Sequence, residues 1–300
     1  MKSINITFKN EQEKINFVNE CEKDFEQRLD EVSKRAISSG VSILLLSGPT
    51  CAGKTTTANK IIHDYLEAGK TVTTISIDDF FQERNDDRRV DENEKLDYDS
   101  VDVLDLPLLA ECISHIKAGN TIRVPIFDFV SQKRSGYREH TIMSDEIIIF
   151  EGIQAVYPEI TSLFETGYKG IFIDVNEDVC INGVCFTKNE IRLIRRIVRD
   201  EKFRGATPEF TFYLWESVRD NEEKNIFPNK DICEIQIDSF MCYELFLMKS
   251  YLVNVLSDFD KNSKYYEKAK TLLEKVKSFD EIKYDYIPRG SLYTEFLGKK

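Results

Sequence analysis

Fifteen residues, Ser42 to Thr56 (SILLLSGPTCAGKTT), restrict this chain more than any other stretch. Ile43, Leu44, Leu45 and Leu46 form a short apolar run, the length of a strand buried on both faces. Gly48-x-x-x-x-Gly53-Lys54-Thr55 follows, and residues 55–68 read as a helix that Gly69 closes. Glycines let the backbone curl until its N–H groups converge on an anion, and the new helix adds its positive end. A lysine at this position reaches terminal phosphates, and the following hydroxyl is a ligand for Mg²⁺. Gly48, Pro49, Thr50, Cys51, Ala52, Gly53, Lys54, Thr55 and Thr56 are therefore the candidate phosphate cradle. A functionless glycine turn is the bland alternative; the strand before it and the helix after it argue against that.

The next two buried strands end in acids. Val72 to Ile77 runs into Asp78-Asp79-Phe80-Phe81, and Glu146 to Phe150 runs into Glu151-Gly152. In open parallel sheets ligands sit at the carboxyl ends of strands. Asp78 is thus a candidate to take a proton from an attacking hydroxyl or to hold Mg²⁺, and Glu151 a candidate metal ligand. Acids at strand ends are more often solvated caps, but a phosphate loop next door favours function.

A net charge of −12 argues against a general nucleic-acid partner and requires any polyphosphate site to gather positive charge locally. Arg192, Arg195, Arg196, Arg199, Lys202 and Arg204 do so within thirteen residues. The first four arginines share one helix face. Paired with Glu190, Asp200 and Glu201 they would be a solvated stripe; beside a phosphate loop, a lid over the transferred phosphate is the better reading. No apolar run approaches the ~20 residues of a membrane span, and the N-terminus lacks an apolar export signal, so a cytoplasmic protein without membrane contact is expected. Seven cysteines without a CxxC or Cys/His pattern are expected to be free thiols, with no zinc site.

The remaining elements frame this site. An amphipathic helix is expected from Glu11 to about Ser38 after a short strand in 4–8, and a charge-dense loop over 82–100 leads into a helix from about Val103 to Lys117. Thr121 to Ile126 reads as a strand entering a hairpin through Phe127-Asp128-Phe129-Val130-Ser131-Gln132-Lys133-Arg134, and Asn182-Gly183 marks a second hairpin. Ile171 to Val175 and Ile235 to Ile237 read as strands, 208–222 as a helix that packs Trp215, and 241–256 and 265–276 as closing helices. The tail from Phe279 reads as loop. One domain is expected: an appendage over 1–40, a phosphate-loop core over 41–240 with a lid near 188–222, and a helical cap over 241–300.

In order along the chain, GPTCAGKTT, SIDDFF, LDYDSVDVLD, VPIFDFVSQKR, IIFEGIQAVY and RLIRRIVRDEKFRG resemble the uridine kinase (uridine–cytidine kinase) family, within the phosphoribulokinase/uridine kinase group. The resemblance spans about Ser42 to Ile237, and the C-terminal stretch is similar to the extension of a bacterial nucleoside kinase branch. It implies an α/β, three-layer P-loop NTPase fold with a mostly parallel central sheet, an arginine-bearing helical lid and a helical C-terminal cap. It implies ATP or GTP as phosphoryl donor, Mg²⁺, and a small-molecule nucleoside acceptor, uridine or cytidine, phosphorylated at its 5′-hydroxyl; homo-oligomerisation stays open. By the same resemblance Asp78 is the catalytic base, with Lys54 and Arg199 assisting; Thr55, Glu151 and Asp78 surround the metal. Asp99 holds the ribose hydroxyls with help from Arg196, while Arg199 and Arg204 grip the triphosphate. Phe127, Phe129, Gln132 and Arg134 surround the base. The sequence departs from the family where Phe127 replaces Tyr, Gln132 replaces His, and Ala206 stands where another lid arginine is usual; a glutamine amide serves either uracil or cytosine.

Three rivals stay in view. A kinase of the same group acting on a sugar phosphate, pantothenate or glycerate would differ at Asp99 and over 127–134. A GTPase-type switch needs an Asn-Lys-x-Asp signature, which Asn229-Lys230-Asp231-Ile232 does not supply. A non-catalytic nucleotide-binding regulator would show no turnover.

Overall fold

The computed structural model describes residues 1–83, 99–128 and 131–298. Strand β1 (Lys2–Ile4) precedes helix α1 (Glu11–Ser38), whose start is capped by the Asn10 side chain accepting from the Glu13 amide at 3.0 Å. Strand β2 (Ile43–Ser47) feeds the glycine loop and α2 (Lys54–Glu67), and β3 (Val72–Ser76) leads directly into a 3₁₀ turn, Ile77–Phe80. After α3 (Leu106–Lys117), strands β4 (Thr121–Asp128) and β5 (Lys133–Thr141) form an antiparallel hairpin. Strand β6 (Ile147–Glu151), α4 (Pro158–Phe164) and β7 (Tyr168–Asp174) follow, then the short pair β8 (Val179–Ile181) and β9 (Val184–Phe186). The chain closes with α5 (Lys188–Arg204), α6 (Pro208–Asn221), β10 (Ile235–Asp238), α7 (Glu244–Leu256), α8 (Tyr266–Lys277) and α9 (Thr294–Leu297).

The central sheet is five-stranded and parallel, in the order β10-β7-β2-β6-β3. Its strands alternate between two cores because successive side chains point to opposite faces. Leu44, Leu46, Ile147, Ile149, Ile171 and Ile173 enter one core with residues of α1, α2, α5, α7 and α8; Leu45, Ile75, Ile148, Phe150 and Phe172 enter the other with α3 and α4. Both faces are covered, as parallel sheets require, giving the three-layer α/β fold that the loop and strand pattern implied.

The N-terminal helix and the C-terminal helices share the first core with the sheet. Arg28 of α1 donates to the Asp238 and Phe240 carbonyls just past β10. Two expectations need correction. The tail after Phe279 is not simply loop: it forms a 3₁₀ turn, Tyr284–Tyr286, and α9, and it buries Ile287, Leu292, Tyr293, Phe296 and Leu297. The cysteines are not all free thiols, because Cys180 and Cys185 are joined by a disulfide. Asn182 and Gly183 take positive φ (54° and 80°) in the two-residue turn, which sets those cysteines opposite each other across β8 and β9. Among the described residues no helix is long and apolar enough to cross a membrane.

Candidate active site

Strand register assembles the site. Glu151 at the end of β6 is level with Leu46 of β2 and Ser76 of β3. The glycine loop, Asp78 and Glu151 therefore leave one edge of the sheet side by side. Gly48 passes so close to β7 that a Cβ there would lie 2.1 Å from the Ile173 carbonyl oxygen, while Gly53, at φ 100°, makes the turn into α2. Lys54 Nζ donates to the Gly48 carbonyl at 2.9 Å and the Pro49 carbonyl at 3.1 Å, so its ammonium lies over the curl. Thr57 ties the helix start down by donating its hydroxyl to the Gly53 carbonyl at 3.0 Å. Thr55 is exposed at the mouth.

Two carboxylates face this ammonium. Burial pushes the Asp78 carboxyl above its ordinary range, opposed by Lys54, reinforced by Asp79 and opposed again by Arg204. Burial likewise raises Glu151, to about 7, with Lys54 pulling it down and Asp78 and Glu295 pushing it up. Asp78 thus lies within the fields of Lys54 and Arg204, and Glu151 within those of Lys54 and Asp78. Two half-buried acids sharing one lysine, beside an exposed threonine hydroxyl, form a hard-oxygen set that suits a divalent cation; Thr55, Glu151 and Asp78 would be its holders.

The arginines of α5 divide into two groups, which corrects the expectation of a single phosphate-facing stripe. Arg192 is fully buried, donating to both oxygens of Glu222 at 2.6 and 2.7 Å and to the Thr50 carbonyl at 3.4 Å; Asp174 lies 3.2 Å from its Nε. Arg195 is also buried, gripping Glu244 at 2.5 and 2.7 Å and the Cys51 carbonyl at 3.1 Å. These two guanidinium groups hold the outside of the loop, where its carbonyls point. Trp215 packs over Arg192, 5.5 Å from ring centroid to guanidinium, in the packing role expected of it. Arg196, Arg199 and Arg204 instead converge on one acid, Asp200, at 3.2, 2.6 and 3.6 Å. Arg199 lies within the field of Cys51 and Glu295, and the Arg204 side chain is 59% exposed.

The hairpin β4–β5 lies over the turn that carries Asp78. Phe127 packs on Phe81 with ring centroids 5.6 Å apart, and its backbone hydrogen-bonds Asp79. Gln132 sits at the hairpin turn with φ 56°. Arg134, next to the hairpin turn, donates to Asp105 Oδ2 at 2.7 Å and to the Phe81 carbonyl at 3.4 Å. Asp99 is placed by its carbonyl, which accepts from the Tyr157 hydroxyl at 3.0 Å. Phe129 lies outside the described residues.

Sequence reasoning missed one neighbour of the loop. Glu295 of α9 accepts from the Thr56 hydroxyl at 3.1 Å and the Thr56 amide at 3.4 Å. The signal was the apolar pattern Leu292, Tyr293, Phe296, Leu297, which has helical spacing.

A family model described as "Phosphoribulokinase / Uridine kinase family" matches residues 43–245. A uridine kinase of Lactobacillus johnsonii is 31% identical over 177 residues, covering 59% of this chain and 74% of that protein. A uridine kinase of Deinococcus deserti is 27% identical over 199 residues, covering 65% of this chain and 86% of that protein. Among solved structures, that of a possible uridine kinase from Bacillus stearothermophilus aligns over 72% of this chain and 100% of its own length, with a TM-score of 0.45 and 18% identity.

Proposed function

Since the chain belongs to the phosphoribulokinase/uridine kinase family and is a P-loop phosphotransferase, we propose that it transfers the terminal phosphoryl group of ATP to the 5′-hydroxyl of a nucleoside, uridine or cytidine. The observation that carries this reading is the register that sets Asp78 and Glu151 beside the glycine loop at one sheet edge, with Lys54 over the curl and Phe127 of the hairpin packed on Phe81. The glycine loop and Lys54 hold the β- and γ-phosphates, and GTP is an alternative donor of the same shape. Asp78 accepts the proton of the attacking hydroxyl; its raised proton affinity suits that exchange. Arg199 and Arg204, carried on the closing element 188–222, offset charge on the phosphoryl group in flight. Asp99 and Arg196 orient the ribose, and Phe127 and Gln132 border the base. Thr55, Glu151 and Asp78 would hold Mg²⁺, which would supply neutralisation of phosphate charge. The chain's own part is positioning, since a reacting pair held in line needs little else.

One observation favours a second reading, a different small-molecule acceptor. The Arg134 guanidinium is engaged by Asp105 and the Phe81 carbonyl, which leaves it less to offer a base. A panel of uridine, cytidine, pantothenate, glycerate and sugar phosphates, scored by ADP release, separates the two. The first reading expects turnover with a pyrimidine nucleoside that drops at least about a hundredfold in Asp78→Asn while ATP binding persists. Turnover confined to a non-nucleoside acceptor, or undiminished in the variant, would overturn it.

A further inference from the structure

The segment 291–298 is laid across the phosphate loop. Leu292 fills the space above Gly53, where a Cβ would stand 2.2 Å from its Cδ1. Behind it, the Tyr293 hydroxyl donates to Glu244 Oε2 at 2.9 Å and accepts from the Met241 amide at 3.3 Å. Lys202 donates to the Leu297 carbonyl and the Tyr284 hydroxyl to that of Gly298. Ser291, Leu292, Tyr293, Phe296 and Leu297 are buried, which anchors the segment in the core, while Glu295 is half-buried.

Glu295 sits where this segment meets α2. The Thr57 amide is already spent on the Gly53 carbonyl at 3.1 Å, so among the first amides of α2 Thr56 is the last open to an anion. Glu295 Oε2 takes that amide and the adjacent hydroxyl. The same carboxylate acts on Glu151 and Arg199, so it lies inside the electrostatic perimeter of the site. A polyphosphate chain seated in the curl and running outward along the start of α2 needs the same two donors. Two anions cannot share them without mutual repulsion in a partly buried place.

We infer that Glu295 holds the place of a donor phosphate oxygen on Thr56, and that residues 291–298 form a strap, anchored in the core by Leu292, Tyr293, Phe296 and Leu297, whose Glu295 carboxylate a nucleoside triphosphate displaces. The inference rests on the reading of the loop as a triphosphate site. It gives the C-terminal segment, which lies beyond the family match, a regulatory part in donor entry. Displacement frees the amide for phosphate and removes a negative charge from the vicinity of Arg199; loss of the donor restores the clasp.

The full chain and its Glu295→Gln variant, each titrated with ATP and Mg²⁺, test this. Glutamine keeps the size and an acceptor oxygen but removes the competing charge. The variant is expected to bind ATP about ten- to a hundredfold more tightly, the scale of one charge-assisted hydrogen bond. In the unaltered chain, amides of 291–298 are expected to exchange hydrogen faster with ATP than without it, a measurement that stands even if the variant does not fold. Equal or weaker ATP binding by the variant, or slower exchange with ATP, would overturn the strap while phosphoryl transfer could continue. Failure of both proteins to bind ATP would overturn the triphosphate reading together with the strap.

Discussion

Glu244→Gln isolates the buried pair that ties the lid helix to the phosphate loop. Arg195 and Glu244 are both fully buried and joined by two hydrogen bonds, at 2.5 and 2.7 Å. The same guanidinium donates to the Cys51 carbonyl at 3.1 Å, the Ser239 hydroxyl at 3.0 Å and the Ser239 carbonyl at 3.2 Å. Phe296 stands 5.4 Å from it. Glutamine preserves the shape but removes the acid bonded to Arg195, leaving a fully buried positive charge with no counterion among the described residues. The loss of stability is expected to be about 3–5 kcal/mol, the usual consequence of stranding one member of a buried pair. In a chain of this size that is a fall in Tm on the order of 5–10 °C. Urea unfolding followed by tyrosine and tryptophan fluorescence measures it. The double variant Arg195→Met, Glu244→Leu removes both charges and is expected to recover most of the loss, because the pair and an apolar substitute of similar volume are nearly equivalent. A Glu244→Gln protein within about 1 kcal/mol of the original, or a double variant less stable than the single one, would refute the reasoning that charge and not packing sets the value.

Two further outcomes follow from the same coordinates. Gly48→Ala must push its new methyl against the Ile173 carbonyl oxygen, 2.1 Å away, and is expected to lower stability by about 2–3 kcal/mol and to abolish nucleotide binding; an unaltered Tm would show that β7 yields at no cost. Among the described free cysteines, Cys242 should react first with iodoacetamide, because a hydrogen bond from Cys21, aided by Lys2 and Arg28 against burial, brings its thiol down to about 6. Its alkylation rate should rise through pH 6 and level off by pH 8, whereas Cys233, raised to about 12 by burial, stays inert; equal rates at the two sites, read by peptide mass spectrometry, would contradict this.

The nest was legible in the sequence because each residue type in it answers a local demand: glycine for the close pass at β7 and the turn at Gly53, lysine and threonine for the anion and its metal. The acids at strand ends were legible because register in a parallel sheet follows from strand length and order, and Glu151 does stand level with Ser76. The α5 arginines were only half legible. Helical spacing places Arg192, Arg195, Arg196 and Arg199 on one face, but it cannot say that Glu222, Glu244 and Asp174, distant in sequence, will meet two of them. Glu295 was hidden for the same reason, since its contact with Thr56 spans most of the core domain. The Cys180–Cys185 link could have been anticipated: the two cysteines flank Asn182-Gly183 symmetrically, and a two-residue turn sets such positions in register.

Charge balance explains why the chain divides its arginines this way. Arg192 and Arg195 are met by Asp174, Glu222 and Glu244, so the outside of the loop is neutralised internally and exports no positive field. Arg196, Arg199 and Arg204 share one carboxylate, Asp200, and three guanidinium groups against one acid leave a positive excess beside Cys51. In a chain of net charge −12 such a local positive excess marks where an anion is drawn. Glu295 answers part of it from the tail, and a triphosphate carries several times that charge. The buried pairs fix the shape of the loop, while the underpaired trio sets what the loop attracts; changing the first group should therefore alter stability before affinity, and changing the second should alter affinity with little effect on stability.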